Sequence, residues 1–147
     1  MIAKTLLLVV DVQKGFVSTP ETENIVAAIN TLVKRWKAQK AAIVFSKFIN
    51  RADSSWVRFI GWNKMHDVPE TDFANNLRTD YGEVYENTAY SAWSHEVEQI
   101  CHAQGVDTVA ICGIDTDQCM LANEAGIKLL TRLIGVGQMV NSSKLDA

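Results

Sequence analysis

Residues 5–13 read TLLLVVDVQ, an unbroken run from Thr5 to Val10 closed abruptly by Asp11-Val12-Gln13. A continuous apolar run, with no polar residue at alternate positions, marks a strand covered on both faces, as in a parallel sheet. Working outward, Ile25, Ala28, Ile29, Leu32, Val33 and Trp36 recur at helical spacing and predict an amphipathic helix from about Thr22 to Lys37. Pro20, Glu21 and Glu23 suit its N-terminus, where a missing N–H costs nothing and negative charge meets the positive end of the helix dipole. Ala41–Ser46, AAIVFS, predicts a second strand, which completes a β-α-β unit.

The stretch from about Lys47 to Asp80 has no strong period. Trp56, Phe59, Ile60 and Trp62 cluster there around Gly61, and the reading is a semi-structured loop whose aromatics mostly pack. Glu83–Glu86 predicts a short third strand. From about Ala92 a helix is expected, with Trp93, Val97, Ile100 and Cys101 on one face, Glu96 and Glu98 near its start, and Gln104-Gly105-Val106 as its stop. Thr108–Cys112, TVAIC, is the clearest late strand; it runs into Gly113–Cys119 and then a helical pattern from about Gln118 to Arg132. The order β-α-β-loop-β-α-β-α predicts a single domain over residues 1–147, a three-layer α/β/α fold with a mainly parallel sheet. Ligands of such sheets bind beyond the carboxyl ends of the strands, where Asp11 and the 113–119 loop are both expected.

Composition narrows the function classes. A hydrophobic fraction of 48%, a charged fraction of 21% and a net charge of -3 describe an ordinary globular chain without the basic surface that phosphate contacts need. Lys34, Arg35 and Lys37 read as the solvated face of the first helix. No nucleic-acid partner is expected, and no membrane partner, since no apolar run approaches the roughly 20 residues of a bilayer span. Ile2–Val10 lacks a basic leader and a cleavage site and reads as strand rather than signal peptide. Three cysteines, Cys101, Cys112 and Cys119, are too few and too odd in number for a secreted disulfide framework, so a reducing cytoplasm is expected.

Cys119 follows a strand and stands near a helix start, where the helix dipole and backbone N–H groups favour a thiolate and cradle an oxyanion. The alternative from position alone is a small buried core thiol. Asp11 either caps the turn after its strand or exchanges a proton with a nearby thiol. No Gly-x-Gly-x-x-Gly follows the first strand, which disfavours a dinucleotide-binding domain.

Three segments in order, Asp11-Val12-Gln13, Tyr90-Ser91-Ala92-Trp93 and Gly113-Ile114-Asp115-Thr116-Asp117-Gln118-Cys119, resemble the isochorismatase-like cysteine hydrolases, the superfamily that includes the nicotinamidases. The resemblance implies Cys119 as nucleophile, Asp11 as general base and acid, and the backbone N–H groups of Asp115 and Cys119 as oxyanion hole. It also implies a cis peptide at Ile114–Asp115, a homo-oligomer (dimer or larger), and a small-molecule substrate with an amide, related C–N or vinyl-ether bond. Gln13, Phe16, Tyr90, Trp93, Trp56 and Trp62 are the expected pocket residues.

Three departures from the family pattern bear on function. The family's lysine, three residues before the Tyr-Ser-Ala segment, is Asn87 here. A carboxylate beside a thiol disfavours the thiolate and a cation lifts that penalty, which a neutral amide cannot do; Lys14 and Lys47 are the replacements to consider. Ser46-Lys47-Phe48-Ile49-Asn50 lacks the Asp-x-His metal set of nicotinamidases, and His66, His95 and His102 do not restore it, so neither metal nor cofactor is expected. The chain after Cys119 is shorter than the family's, with a weakly patterned tail from Gly135, and the domain is expected to be abbreviated there. The second reading is therefore a catalytically impaired member acting as a small-molecule binding or regulatory protein.

Overall fold

In the computed structural model, which describes residues 4–89 and 91–114, the opening apolar run is β1 (Thr5–Val10), buried from Leu6 onward. It is followed by α1 (Pro20–Ala38), β2 (Ile43–Phe48), α2 (Ser55–Ile60), a 3-10 turn over Thr79–Tyr81, β3 (Glu83–Asn87), α3 (His95–Ala103) and β4 (Thr108–Gly113). The four strands form one sheet in the order β3-β2-β1-β4, and every pairing is parallel.

Alternation along β1 explains the layers. Leu7 and Val9 pack with Ile43, Phe45, Ala110 and Cys112 beneath Val26, Ile29, Leu32, Val33 and Trp36 of α1. Leu6, Leu8 and Val10 face the other way, with Val44, Val109 and Ile111 beneath Val97 and Cys101 of α3. With a helix on each face, β1 and β4 carry apolar residues throughout their interiors. Trp36 also donates its indole N–H to the carbonyl of Thr5 (3.2 Å), tying the last turns of α1 to the start of β1.

Local chemistry sets the element ends. Thr19 and Thr22 form a reciprocal capping box, and Pro20 takes the first helical turn, so α1 begins ahead of the expected Thr22. Ala41 N–H is still bonded to Trp36 O, which keeps Ala41 with the helix end and starts β2 at Ile43. Ser94 accepts from Val97 N–H (3.4 Å), so α3 begins at His95 rather than near Ala92. The aperiodic stretch after Lys47 holds α2 and a segment that pairs with the chain beyond β1: Gly15 N–H meets Glu70 O, Lys14 N–H meets Asp72 O and Ala74 N–H meets Val12 O. The expectation that its aromatics mostly pack needs correction at Phe59, which is 76% exposed on α2, while Trp56 and Trp62 are half-buried. The helix expected over 118–132 lies outside the described residues.

β1 is the switch point of the sheet, since chain connections depart to β2 on one side while β4 returns on the other. Val10 pairs with Gly113, and Ile114 N–H bonds Val10 O (3.1 Å), so the chain leaves β4 beside the end of β1. Gly113 has φ +143, and a Cβ there would sit 2.2 Å from Val10 O. Gly113→Ala is expected to destabilise the protein by about 3 kcal/mol or more, because backbone and not a flexible side chain blocks the methyl. Urea denaturation followed by tryptophan fluorescence measures this.

Candidate active site

Asp11 is the first residue beyond β1, fully buried, with φ +52, a left-handed conformation that Asp tolerates better than most residues. The turn is tight: Gln13 N–H bonds Asp11 O (2.8 Å). Ser46, in β2 and 2% exposed, meets Asp11 twice. The Ser46 hydroxyl donates to Asp11 Oδ1 (2.6 Å) and accepts from the Asp11 backbone N–H (3.1 Å).

Asn87 ends β3 opposite Phe48, and its carbonyl accepts from Ile49 N–H (2.9 Å). The β2–β3 register pairs Ser46 with Tyr85 and Phe48 with Asn87, so these four residues share the α3 face of the sheet. Asn87 and the Ser46–Asp11 pair therefore occupy one face at the same carboxyl edge. The Asn87 side-chain amide donates to Ala89 O (2.8 Å) and Ser91 O (3.3 Å), shaping the turn that leads to the expected pocket segment. Its Oδ1 is buried without a hydrogen-bond partner among the described residues.

Neither replacement cation is turned toward this edge. Lys47 alternates to the opposite face from Ser46 and lies over the ring of Phe73 at 5.7 Å. Lys14 pairs with Asp72 at 3.7 Å, with both side chains about two-fifths exposed. Among the described residues no group of three or more His, Cys, Asp or Glu side chains is arranged to hold a metal ion.

The expected pocket residues divide. Gln13 is fully buried and its amide is spent on backbone: Nε2 donates to Phe48 O (2.9 Å) and Thr71 O (2.8 Å), and Oε1 accepts from Phe48 N–H (2.8 Å). It acts as an extra rung of sheet between the β1 turn and the end of β2. Phe16 and Trp62 flank Phe48 at centroid separations of 6.2 and 6.1 Å, a row of three rings beside that rung. Trp56 joins them through its backbone, its carbonyl accepting from Trp62 N–H (3.0 Å). Trp93 goes elsewhere: it packs with the α3-side core and donates its indole N–H to Glu98 (3.2 Å). Tyr90, Asp115, Cys119 and the Ile114–Asp115 peptide lie outside the described residues.

Ser46, Phe48 and Asn50 were not singled out from sequence. Asn50 is 1% exposed and organises the 50–66 loop, donating to Trp62 O and Lys64 O, accepting from Ser54 Oγ, and contacting His66 Nδ1 through its carbonyl. The available signal was a polar residue at the end of an otherwise apolar strand, which is costly to bury unless it has a partner.

The two described thiols are inert by environment. Burial pushes Cys112 up to about 12, and burial with the nearby Glu98 pushes Cys101 up to about 11. Both stay protonated at neutral pH.

The isochorismatase domain family matches residues 5–124. Among solved structures the chain is similar to an N-carbamoylsarcosine amidase from Thermoplasma acidophilum, at 22% identity and TM-score 0.76, covering 95% of this chain and 96% of that one. It is also similar to an isochorismatase-like hydrolase from Alkaliphilus metalliredigens, at 18% identity and TM-score 0.74, covering 93% and 79%. A nicotinamidase from Staphylococcus aureus follows at 18% identity and TM-score 0.65, covering 86% and 75%. No curated protein matches the chain. At these identities the structures speak for the fold.

Two outcomes are expected at this site. Gln13→Ala should cost about 3 kcal/mol of stability in chemical denaturation, because three buried backbone groups lose their partner. Iodoacetamide at pH 8 should leave Cys101 and Cys112 unlabelled in the native protein and label both in denaturant, read by peptide mass mapping.

Proposed function

This chain belongs to the isochorismatase family, and we propose that within it the chain is a cysteine hydrolase of a small amide or a related C–N or vinyl-ether bond. One observation carries the reading: the Ile114 N–H to Val10 O hydrogen bond starts the Gly113–Cys119 loop beside the buried Asp11. Cys119 is the fifth residue after Ile114, a reach of at most about 18 Å from that hydrogen bond.

For an amide, Cys119 Sγ attacks the carbonyl carbon while Asp11 takes the thiol proton. The oxyanion is held by the backbone N–H groups of Asp115 and Cys119. Asp11 then returns the proton to the leaving nitrogen as the C–N bond breaks. Water hydrolyses the resulting thioester and restores the thiol. Asn87 occupies the position of the family lysine, and the Phe16, Phe48 and Trp62 rings line the approach. The partner is a small molecule, and a homo-oligomer in the cytoplasm is the setting we propose.

Asn87 favours one second reading, a binding or regulatory protein on the same scaffold. Its amide protons are committed to the Ala89 and Ser91 carbonyls, and a neutral group does not offset the charge of Asp11.

Hydrolysis of a panel of small amides and carbamoyl compounds decides between the two. Cys119→Ala is expected to lower turnover by roughly a thousandfold or more without changing the thermal midpoint. Asn87→Lys should move the rise of Cys119 alkylation to lower pH by about one unit, since a cation favours the thiolate. An unmoved profile would remove Asn87 from the role of missing cation. A wild-type profile rising only near the ordinary thiol value of about 8.5, with no turnover, would favour the binding protein.

A further inference from the structure

The Ser46 hydroxyl bonds both the backbone and the carboxylate of Asp11. The backbone N–H of Asp11 can only donate, so it takes a lone pair of Ser46 Oγ, and the single hydroxyl proton is left for Asp11 Oδ1. The proton's direction is thus fixed by geometry. The pair is almost fully buried, where a hydrogen bond to an ionised carboxylate is strong and its loss is not made good by water. Left-handed φ at Asp11 brings its N–H and its Oδ1 onto the same hydroxyl.

We propose that Ser46 is a positioning residue that orients the Asp11 carboxylate and favours its charged form; this rests on the hydrolase reading, in which Asp11 exchanges a proton with Cys119. Nearby charged side chains are directed elsewhere. Lys47 lies over Phe73, Lys14 pairs with Asp72, Glu86 of β3 is exposed opposite Lys47, and Glu98 of α3 takes the Trp93 indole. A hydroxyl that merely filled a buried site would stabilise the fold without altering the titration of the thiol. One that acts through Asp11 must alter it, and only while the carboxylate is present.

The test is a double-mutant cycle on the pH dependence of Cys119 alkylation by iodoacetamide, with the label mapped by mass spectrometry. Without the donated hydrogen bond the carboxyl holds its proton more tightly, and while it stays neutral it does not repel the Cys119 thiolate. Ser46→Ala is expected to move the rise to lower pH by about one unit, Ser46→Thr to restore it, and Ser46→Ala in an Asp11→Asn background to move nothing. If Ser46→Ala does not fold, Ser46→Cys, close in size and a weaker donor, should shift the profile in the same direction by less. No shift in the folded variants, or an equal shift in the Asp11→Asn background, overturns the proposal and leaves the hydrolase reading intact. If Asp11→Asn alone leaves the Cys119 profile unchanged, Asp11 is not coupled to the thiol, and both fall together.

Discussion

The backbones of Gly113 and Val10 approach so closely that no side chain fits between them, and the carboxyl edge of the sheet depends on this contact. It brings β4 against β1 with full register from Thr5–Thr108 to Val10–Gly113. It also fixes where the chain departs, one residue from Asp11. A strand order that reverses at β1 leaves a crevice there because the two neighbouring connections run to opposite sides. The sheet thereby places a buried carboxylate at its switch point.

A buried carboxylate is costly, and the surroundings answer that cost with directed hydrogen bonds. Ser46 binds Asp11, Gln13 binds Phe48 and Thr71, and Asn50 binds Trp62, Lys64 and Ser54. Ser46, Gln13 and Asn50 each join segments that sequence separates: Ser46 is 35 positions from Asp11, and Gln13 is 58 positions from Thr71. The polar network at this end does for the loops what the apolar core does for the helices. It also makes the site rigid, since moving Asp11 would strand several buried groups at once.

This division explains what could be read from sequence. β1, α1 and β4 each carry their signal locally, as an unbroken apolar run or a helical period, and the structure places them within a residue or two of expectation. Family membership was legible because its motifs fall at the ends of those same elements. α2 and the 70–74 segment carry no period, since what holds them is Asn50 and the backbone of residues 12–15. Ser46 lay unremarked in AAIVFS because nothing local indicates that its hydroxyl meets an aspartate from another strand. Gln13 was expected to face a ligand; its neighbours turned out to be unpaired backbone groups of Phe48, which only tertiary pairing creates. Trp93 was drawn to the α3 side by Glu98, one turn further along the chain.

Asn87 shows how one position can serve either charge or shape. It ends the edge strand on the face that holds Ser46 and Phe48, and both amide protons go to carbonyls of the turn that follows. An ammonium at the same place has three donors on a longer, more flexible stem, enough to hold those carbonyls and still present a charge. An amide has two, and here both are committed. Asn87 therefore keeps the turn and brings no charge to this edge. The Ser46 hydroxyl is a neutral donor to the Asp11 carboxylate, and in a buried site a well-aimed dipole recovers part of what an ion would supply.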